Sequence, residues 1–243
     1  MVVTKLKIDL SQVTTHFQAI MDLDNWRVSG VEALARDKDG HSLFPTLQRA
    51  KAEGWYNELE MPLVEIAIRE AAALPSDLLC TLNMSAGVVM TPALEKLVRS
   101  HRERAWGIEI LEDSERIVEY QAFKKRVDDL QCVLLVDDAG EGNSDELRIR
   151  YLQPTIVKLD RLLLIRAMNG PAGRDRLESL VAEARANCCM LLAEGIETVE
   201  QLQFALELGC EYAQGWYFGQ AVPACEVPLQ IAELEQRLWI DAQ

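Results

Sequence analysis

Short apolar segments alternate with longer segments of helical periodicity along almost the whole chain, and this alternation constrains the fold more than any other feature. The predicted strands span residues 16–21, 27–36, 78–85, 105–111, 132–139, 155–160, 188–196 and 212–219. The predicted helices span residues 43–54, 59–74, 92–103, 114–130, 145–152, 174–186, 198–208 and 227–239. Eight strands that alternate with helices within 243 residues predict an α/β fold, a (β/α)8 TIM-like barrel.

Nothing in the sequence divides this predicted barrel into two domains. The chain carries no low-complexity tract and no clear internal repeat. Residues 169–173 (Asn-Gly-Pro-Ala-Gly) predict a flexible loop that is too short to join two domains. We therefore expect a single domain over residues 1–243, with a terminal helix at about 227–239.

Two adjacent carboxylates, Asp137 and Asp138, end the apolar run of residues 132–136. Like charges at the end of a buried strand need a positive partner. Polar residues recur near other predicted strand ends, namely Glu32, Asn83, Glu109, Lys158, Glu194 and Gln214. The C-terminal strand ends of a (β/α)8 barrel surround its active-site mouth, so these side chains should converge. Oxygen ligands gathered around one lysine indicate a site for a hard divalent cation, Mg²⁺ or Mn²⁺.

Each of these residues has an ordinary interpretation when it is considered alone. Adjacent aspartates often cap helices, and a single lysine usually lies on the surface. Glu194 and Glu197 would also favour the N-terminus of the helix that follows them, through its dipole. The ordinary interpretations weaken together, because independent accidents would not place polar residues at successive strand ends.

The charge balance excludes one class of partner. The chain has 25 basic and 39 acidic residues, a net charge of −14, so its surface should repel the backbone of DNA or RNA. A small nucleotide remains compatible, because cations bound at the site would neutralise its phosphates. The sequence has no apolar run long enough to span a membrane and no signal-peptide core, and we expect a cytoplasmic protein.

Seven short motifs occur in order along the chain, and together they resemble the EAL domain, a family of cyclic di-GMP phosphodiesterases. The resemblance extends from about residue 16 to residue 223. The motifs are EALAR at 32–36, LNMS at 82–85, EILE at 109–112, VDDAGEG at 136–142, VKLDR at 157–161, AEGIET at 193–198 and QGW at 214–216. Any one of them is a weak signal, whereas the ordered series is specific.

The resemblance implies a two-metal site in a barrel of the EAL type. Its first metal would be held by Glu32, Asn83, Glu109 and Asp137. Asp137 would bridge to a second metal, which Asp138 and Glu194 complete. Two such cations generate hydroxide and clamp the phosphoryl oxygens of a phosphodiester.

The resemblance also implies roles for the remaining site residues. Lys158 would orient the attacking water and help deprotonate it, so the catalytic set is Lys158, Glu32 and Asp138. Gln18 and Arg36 would contact the dinucleotide. The supporting residues would be Glu112, Glu197 and Gln214. The implied reaction converts cyclic di-GMP to linear pGpG, and the implied assembly is a homodimer.

The loop after the paired aspartates departs from the family pattern. Ala139 stands where the family usually has phenylalanine, and Glu141 stands where it usually has threonine. The resemblance implies that this threonine hydroxyl donates a hydrogen bond to the glutamate at position 112, which anchors the loop. The carboxylate of Glu141 cannot donate such a bond. If Glu112 and Glu141 approach to about 4 Å, their carboxylates would repel by ~1 kcal/mol in water and by ~4 kcal/mol in a partly buried environment. We therefore expect weakened binding of the second metal.

Two questions stay open from the sequence alone. Trp216 could stack on a guanine or belong to the core. The leading interpretation of the chain is a metal-dependent phosphodiesterase, because every implied ligand is present. The alternative is a degenerate EAL module that binds cyclic di-GMP or a protein partner with little turnover. A barrel enzyme that acts on another phosphoester is a third, weaker interpretation.

Overall fold

Within the residues that the structure describes, eight strands close into a barrel. The structure is a computed structural model and describes residues 8–110, 120–139 and 145–241. The strands are β1 (Val13–Asp22), β2 (Arg27–Asp37), β3 (Leu79–Met84), β4 (Trp106–Ile110), β5 (Val133–Ala139), β6 (Ile156–Leu159), β7 (Met190–Ala193) and β8 (Tyr212–Ala213). The barrel closes because β1 pairs with both β2 and β8. A short ninth strand, β9 (Val222–Pro223), pairs with β1 at His16 and Phe17. The predicted barrel is confirmed.

Helices follow most of the strands. They are α1 (Phe44–Ala52), α2 (Tyr56–Ala71), α3 (Ala86–Val89), α4 (Pro92–Ser100), α5 (Tyr120–Leu130), α6 (Asp145–Leu152), α7 (Arg161–Asn169), α8 (Pro171–Ala186), α9 (Val199–Glu207) and α10 (Val227–Asp241). Helix α4 shows the local logic: the hydroxyl of Thr91 accepts a hydrogen bond from the backbone N–H of Leu94 (3.2 Å), and proline begins the helix. None of the helices in the described ranges is long and apolar enough to cross a membrane.

The first two strands depart from strict alternation. Strands β1 and β2 form an antiparallel hairpin, because the connection between Asp22 and Arg27 is too short for a helical crossover. All pairings from β2 to β8 are parallel. The hairpin register places Gln18 directly opposite Glu32. Two predicted site residues from different strands therefore become neighbours.

The predicted flexible loop at residues 169–173 is wrong. Helix α7, which the sequence did not predict, runs to Asn169, and α8 begins at Pro171. The proline occupies the first turn of α8, where its missing N–H costs nothing. Gly173 lets the two helices meet closely, since a Cβ atom there would lie 2.4 Å from the carbonyl carbon of Arg166. The glycine and proline thus mark a tight helix–helix junction.

An apolar layer fills the barrel beneath the polar residues of its mouth. This separate core cluster consists of Ile20, Leu135, Ile156 and Leu192. Each lies two residues from a predicted site residue of the same strand region, respectively Gln18, Asp137, Lys158 and Glu194. Residues two apart on a strand share one face, so both sets point into the barrel. The layer seals the bottom of the site with packed side chains.

The paired aspartates lie at an irregularity of β5. Val136 pairs with Val157, but Ala139 pairs with Leu159, so β5 has one extra residue over this stretch. An extra residue of this kind is a β-bulge, which redirects side chains at the end of a strand. The bulge therefore breaks the alternation at Asp137 and Asp138.

Candidate active site

The ammonium group of Lys158 lies among four carboxylates at the barrel mouth. Its Nζ atom is 2.5 Å from Glu109 Oε2, 2.8 Å from Asp137 Oδ1, 2.8 Å from Glu194 Oε1 and 3.7 Å from Glu32 Oε2. The Lys158 side chain is 1% exposed and that of Glu109 is fully buried. These residues come from strands β2, β4, β5 and β6 and from the end of β7. The convergence predicted for these five residues is therefore observed; their roles stay predictions.

Two amide side chains hold the carboxylate of Glu32. Asn83 Nδ2 donates to Glu32 Oε1 (2.8 Å), and Gln214 Nε2 donates to Glu32 Oε2 (2.7 Å). Gln214 Nε2 also lies 3.1 Å from Gln18 Oε1, and Gln18 Nε2 donates to the carbonyl of Gly219 (3.0 Å). These hydrogen bonds fix the orientation of Glu32. Asn83 and Gln214 lie with the other strand-end residues, as the predicted convergence requires, and Gln18 joins them; the roles implied for all three stay predictions.

Burial controls the titration of the cluster. Burial raises the pKa of Glu109 to about 8, and repulsion from Glu32 adds to the rise. Burial likewise raises the pKa of Glu194 well above its ordinary value. Burial alone would lower the pKa of Lys158, but attraction to the surrounding carboxylates outweighs it and holds that pKa well above its ordinary value. Lys158 is therefore an ammonium group.

The donor set fits a divalent cation. Four carboxyl groups surround one ammonium group, so negative charge is in excess once all four are ionised. Glu109 Oε1 is buried and accepts no hydrogen bond from the described part of the chain. A buried carboxylate oxygen without a partner is unfavourable, and a cation would satisfy it. Carboxylate and amide oxygens are also the ligands that hard divalent cations take.

A cavity of about 430 Å³ opens beside this cluster. It lies between the ends of β2 and β3 and the helices α1 and α2, and Asn83 and Asp137 form the part of its wall nearest the cluster. Arg36 lines the cavity, with its Nη1 atom donating to the carbonyl of Ala35 (3.0 Å). Arg36, predicted to contact a dinucleotide, therefore lies beside the cluster and outside it.

Glu60, on α2, is a buried carboxylate of the cavity wall that the motifs did not single out. Its side chain is 3% exposed and accepts hydrogen bonds from the backbone N–H and the hydroxyl of Ser85, the latter at 2.7 Å. Burial raises the pKa of Glu60. A sequence signal was available, because Glu60 lies four and seven residues before Val64 and Ala67 and shares their buried helix face.

Glu197 lies apart from the carboxylate cluster. It is paired with Arg161 (2.7 Å), and both side chains are partly exposed. Its backbone N–H donates to Gln201, whose side chain also forms a capping box with Thr198 at the start of α9. Glu197 therefore lies at the start of α9, and its implied supporting role stays a prediction.

Two predicted site groups lie outside the described residues. They are the side chain of Asp138 and the whole of Glu112. The loop position Glu141 is also outside the described ranges. Their implied roles stay predictions. Trp216, in contrast, is described and is 65% exposed, so its interpretation as a core residue is wrong.

Comparison with known proteins finds relatives that match most of this chain. The uncharacterized EAL-domain containing protein YkuI of Bacillus subtilis is 29% identical over 245 residues, 95% of this chain and 59% of that protein. The cyclic di-GMP phosphodiesterase NbdA of Pseudomonas aeruginosa is 29% identical over 248 residues, 93% of this chain and 30% of NbdA. The chain thus spans less than two thirds of the length of either relative.

Structural comparison gives the same relationship. The crystal structure of YkuI in complex with its substrate cyclic di-GMP and calcium superposes with a TM-score of 0.75 at 25% identity, covering 96% of this chain and 61% of that one. The family model of the EAL domain matches residues 4–221, nearly the whole chain. The chain therefore belongs to the EAL domain family.

Proposed function

We propose that this chain is a metal-dependent phosphodiesterase that hydrolyses cyclic di-GMP to linear pGpG. The observation that carries the proposal is the buried cluster of four carboxylates around Lys158 at the barrel mouth. Two relatives support the choice of substrate, since NbdA is named for this activity and YkuI binds cyclic di-GMP as substrate. The cluster supplies the chemistry, and the relatives indicate the substrate class.

The cofactor we propose is a pair of Mg²⁺ or Mn²⁺ ions. The first ion would be held by Glu32, Asn83, Glu109 and Asp137. The second would be held by Asp137, Asp138 and Glu194. When bound, two such ions would lower the pKa of the attacking water and neutralise the charge of the phosphodiester. The orphaned oxygen of Glu109 supports this assignment.

The chain's own residues would position the reactants. As an ammonium group, Lys158 donates hydrogen bonds and offsets negative charge that develops on the attacking oxygen. Its expected part in deprotonating water would require the neutral amine, because an ammonium group cannot take a proton. That part stays a prediction. Asn83 and Gln214 keep Glu32 in one orientation through their hydrogen bonds to its two oxygens.

The cavity beside the cluster would hold one base of the dinucleotide. Its volume of about 430 Å³ and its walls of mixed character, with Phe44 and Leu47 beside Arg36 and Glu60, suit a planar base with polar edges. Arg36 would contact the nucleotide from the cavity wall. Gln18, which the hairpin places beside Glu32, would contact it near the cluster.

A second candidate function is a receptor that binds cyclic di-GMP without turnover. Glu141 in the loop after Asp138 favours it, because a carboxylate at this position cannot make the hydrogen bond of the usual threonine. A protein partner would be the remaining role if the chain bound no dinucleotide. The receptor and the enzyme share one binding site and differ only in product formation.

The experiment that separates them is incubation of the purified protein with cyclic di-GMP and Mg²⁺ or Mn²⁺, followed by chromatography of the nucleotides. We expect pGpG from the wild type and none from Glu32→Ala. Glu178→Ala, an exposed carboxylate on α8, is the matched control and should retain full activity. Bound cyclic di-GMP with no pGpG would establish the receptor, whereas neither binding nor product would contradict both.

A further inference from the structure

We propose that Arg148, on α6, is a positioning residue for the carboxylate cluster and thereby controls its affinity for divalent cations. This inference rests on the proposed function and deepens it, because it names a residue outside the motifs on which the metal site depends. It is carried by a buried guanidinium group that connects α6 to the strand end beside Glu109.

The Arg148 side chain is buried on the inner face of α6. It is 7% exposed, and it shares this helix face with the buried side chains of Ile149 and Leu152. An apolar residue would fill the position without the cost of removing a guanidinium group from water. The arginine is therefore explained by its polar contacts and not by its volume.

A network of opposite charges compensates the guanidinium group. Arg148 Nη1 lies 3.5 Å from Asp145 Oδ1, one turn earlier in α6, and the Asp145 side chain is fully buried. Arg176 of α8 lies 3.1 Å from Asp145 Oδ2 and is also paired with Glu146. Apolar residues that replace a buried ion pair are often neutral or stabilising, so stability alone does not account for this network.

The same guanidinium group contacts the end of β4. Arg148 Nη2 donates to the backbone carbonyl of Ile110 (3.1 Å), and this hydrogen bond is buried. Ile110 is the last residue of β4 and pairs with Val136 of β5. A hydrogen bond from a charged donor is about twice as strong as one between neutral groups. Arg148 therefore fastens this strand end to α6.

The fastened strand end carries two members of the carboxylate cluster. Ile110 directly follows Glu109, and its partner Val136 directly precedes Asp137. A shift of the backbone at Ile110 would move these two carboxylates relative to each other. The ligands of a metal must be held within about 0.5 Å of their working positions. Arg148 thus acts on the cation through the backbone and does not contact it.

The test is calorimetric titration with Mn²⁺, without dinucleotide. Arg148→Met should weaken Mn²⁺ binding about 10- to 100-fold, the loss typical of removing a group that supports a metal ligand. Arg148→Lys keeps a positive charge beside Asp145 but lacks the planar fork that contacts both Asp145 and Ile110, so it should also lose affinity. Arg150→Met is the matched control, because Arg150 is exposed on the same helix and paired with Glu183 (2.7 Å). It should bind Mn²⁺ as the wild type does.

A double-variant comparison separates positioning from a purely structural role. Glu109→Gln should itself weaken Mn²⁺ binding, because it removes a ligand. If Arg148 acts by placing Glu109, Arg148→Met should cost less affinity in the Glu109→Gln protein than in the wild type. The urea unfolding midpoint of each metal-free variant reports structural damage independently. Arg148→Lys should lie nearer to the wild-type midpoint than Arg148→Met, since it keeps the charge opposite Asp145.

Three outcomes would overturn the positioning proposal alone. They are a Mn²⁺ affinity of Arg148→Met within twofold of the wild type, an equal loss in Arg150→Met, and the same fold-loss with and without Glu109. If Arg148→Met does not fold, Arg148→Lys decides, and wild-type affinity in that variant would overturn the proposal.

Failure of the proposed function would look different. A wild type that binds no Mn²⁺ would overturn the proposed metal site, and the positioning proposal with it. A wild type that binds Mn²⁺ but forms no pGpG would overturn the proposed hydrolysis alone.

Discussion

Lys158 Nζ lies 2.5 Å from Glu109 Oε2, and the two side chains are 1% and 0% exposed. Water reaches neither side chain, so the charge of Lys158 depends on Glu109 and on the neighbouring carboxylates. The pair explains why one lysine can be tolerated on the inner face of a barrel. It also means that a cation entering the cluster must compete with Lys158 for the same oxygens.

Replacement of Lys158 should affect both stability and activity. In Lys158→Met, the carboxylates lose their counter-charge, and we expect a loss of ~3–5 kcal/mol in the free energy of unfolding without metal. Turnover should fall at least about 10²-fold, because a donor to the developing charge is removed. Urea unfolding and pGpG chromatography measure the two effects.

The exposed Lys96 on α4 provides the matched control, and Lys96→Met should leave both quantities unchanged. Mg²⁺ should restore part of the stability of Lys158→Met, since the cation replaces the missing positive charge. A Lys158→Met protein that is as stable and as active as the wild type would contradict the assignment.

Gln214 should control metal affinity without touching the metal. Gln214 Nε2 donates to Glu32 Oε2 (2.7 Å), and loss of such a supporting hydrogen bond typically costs about 10- to 100-fold in metal affinity or activity. We expect a loss of this size in Gln214→Met, measured by Mn²⁺ titration. Gln203→Met, on the exposed face of α9, is the control. An unchanged Mn²⁺ affinity in Gln214→Met would show that Glu32 needs no such support.

The stability of the metal-free protein should fall as the pH rises. The pKa of Glu109 is about 8 in the folded chain, against an ordinary value of 4.5, so the folded state holds a proton that the unfolded state has released. The stabilisation is complete below the unfolded pKa and is lost as the pH rises through the folded pKa, with a slope of at most ~1.4 kcal/mol per pH unit from this group.

Metal binding should show the opposite dependence. A cation displaces the proton from Glu109, so the gain in unfolding midpoint from Mg²⁺ should be larger at about pH 8.5 than at about pH 6. Glu109→Gln, which has no proton to release, should flatten the pH dependence of the metal-free protein. A gain from Mg²⁺ that is independent of pH would contradict this linkage.

The altered loop makes a prediction that follows from the sequence. If Glu141 weakens the second metal site by repelling Glu112, Glu141→Thr should bind Mn²⁺ more tightly at that site and hydrolyse cyclic di-GMP faster. Glu141→Gln tests the charge alone and should show an intermediate gain. Equal metal affinities in the wild type and Glu141→Thr would refute the loop argument.

The local sequence pattern predicted the strands well where a short apolar run was followed by polar residues. It failed at residues 169–173, where a glycine and a proline indicated a loop but serve a tight junction between α7 and α8. Glycine permits close backbone approach as readily as it permits a turn, and only the packing partner distinguishes the two. For Glu60, the helical pattern could have shown a buried position, but the cavity that it lines is formed by elements remote in sequence.

By itself, the sequence determined the order of the strands and the identity of the polar residues that follow them, because a period of two and a motif are local properties. Which of those side chains contact one another depends on the tertiary structure. The hairpin of β1 and β2 places Gln18 opposite Glu32, and closure of the barrel brings Gln214 to the same carboxylate. Closure also surrounds Lys158 with its four carboxylates, while Trp216 is left exposed. These relationships depend on the register between distant strands, which no local pattern contains.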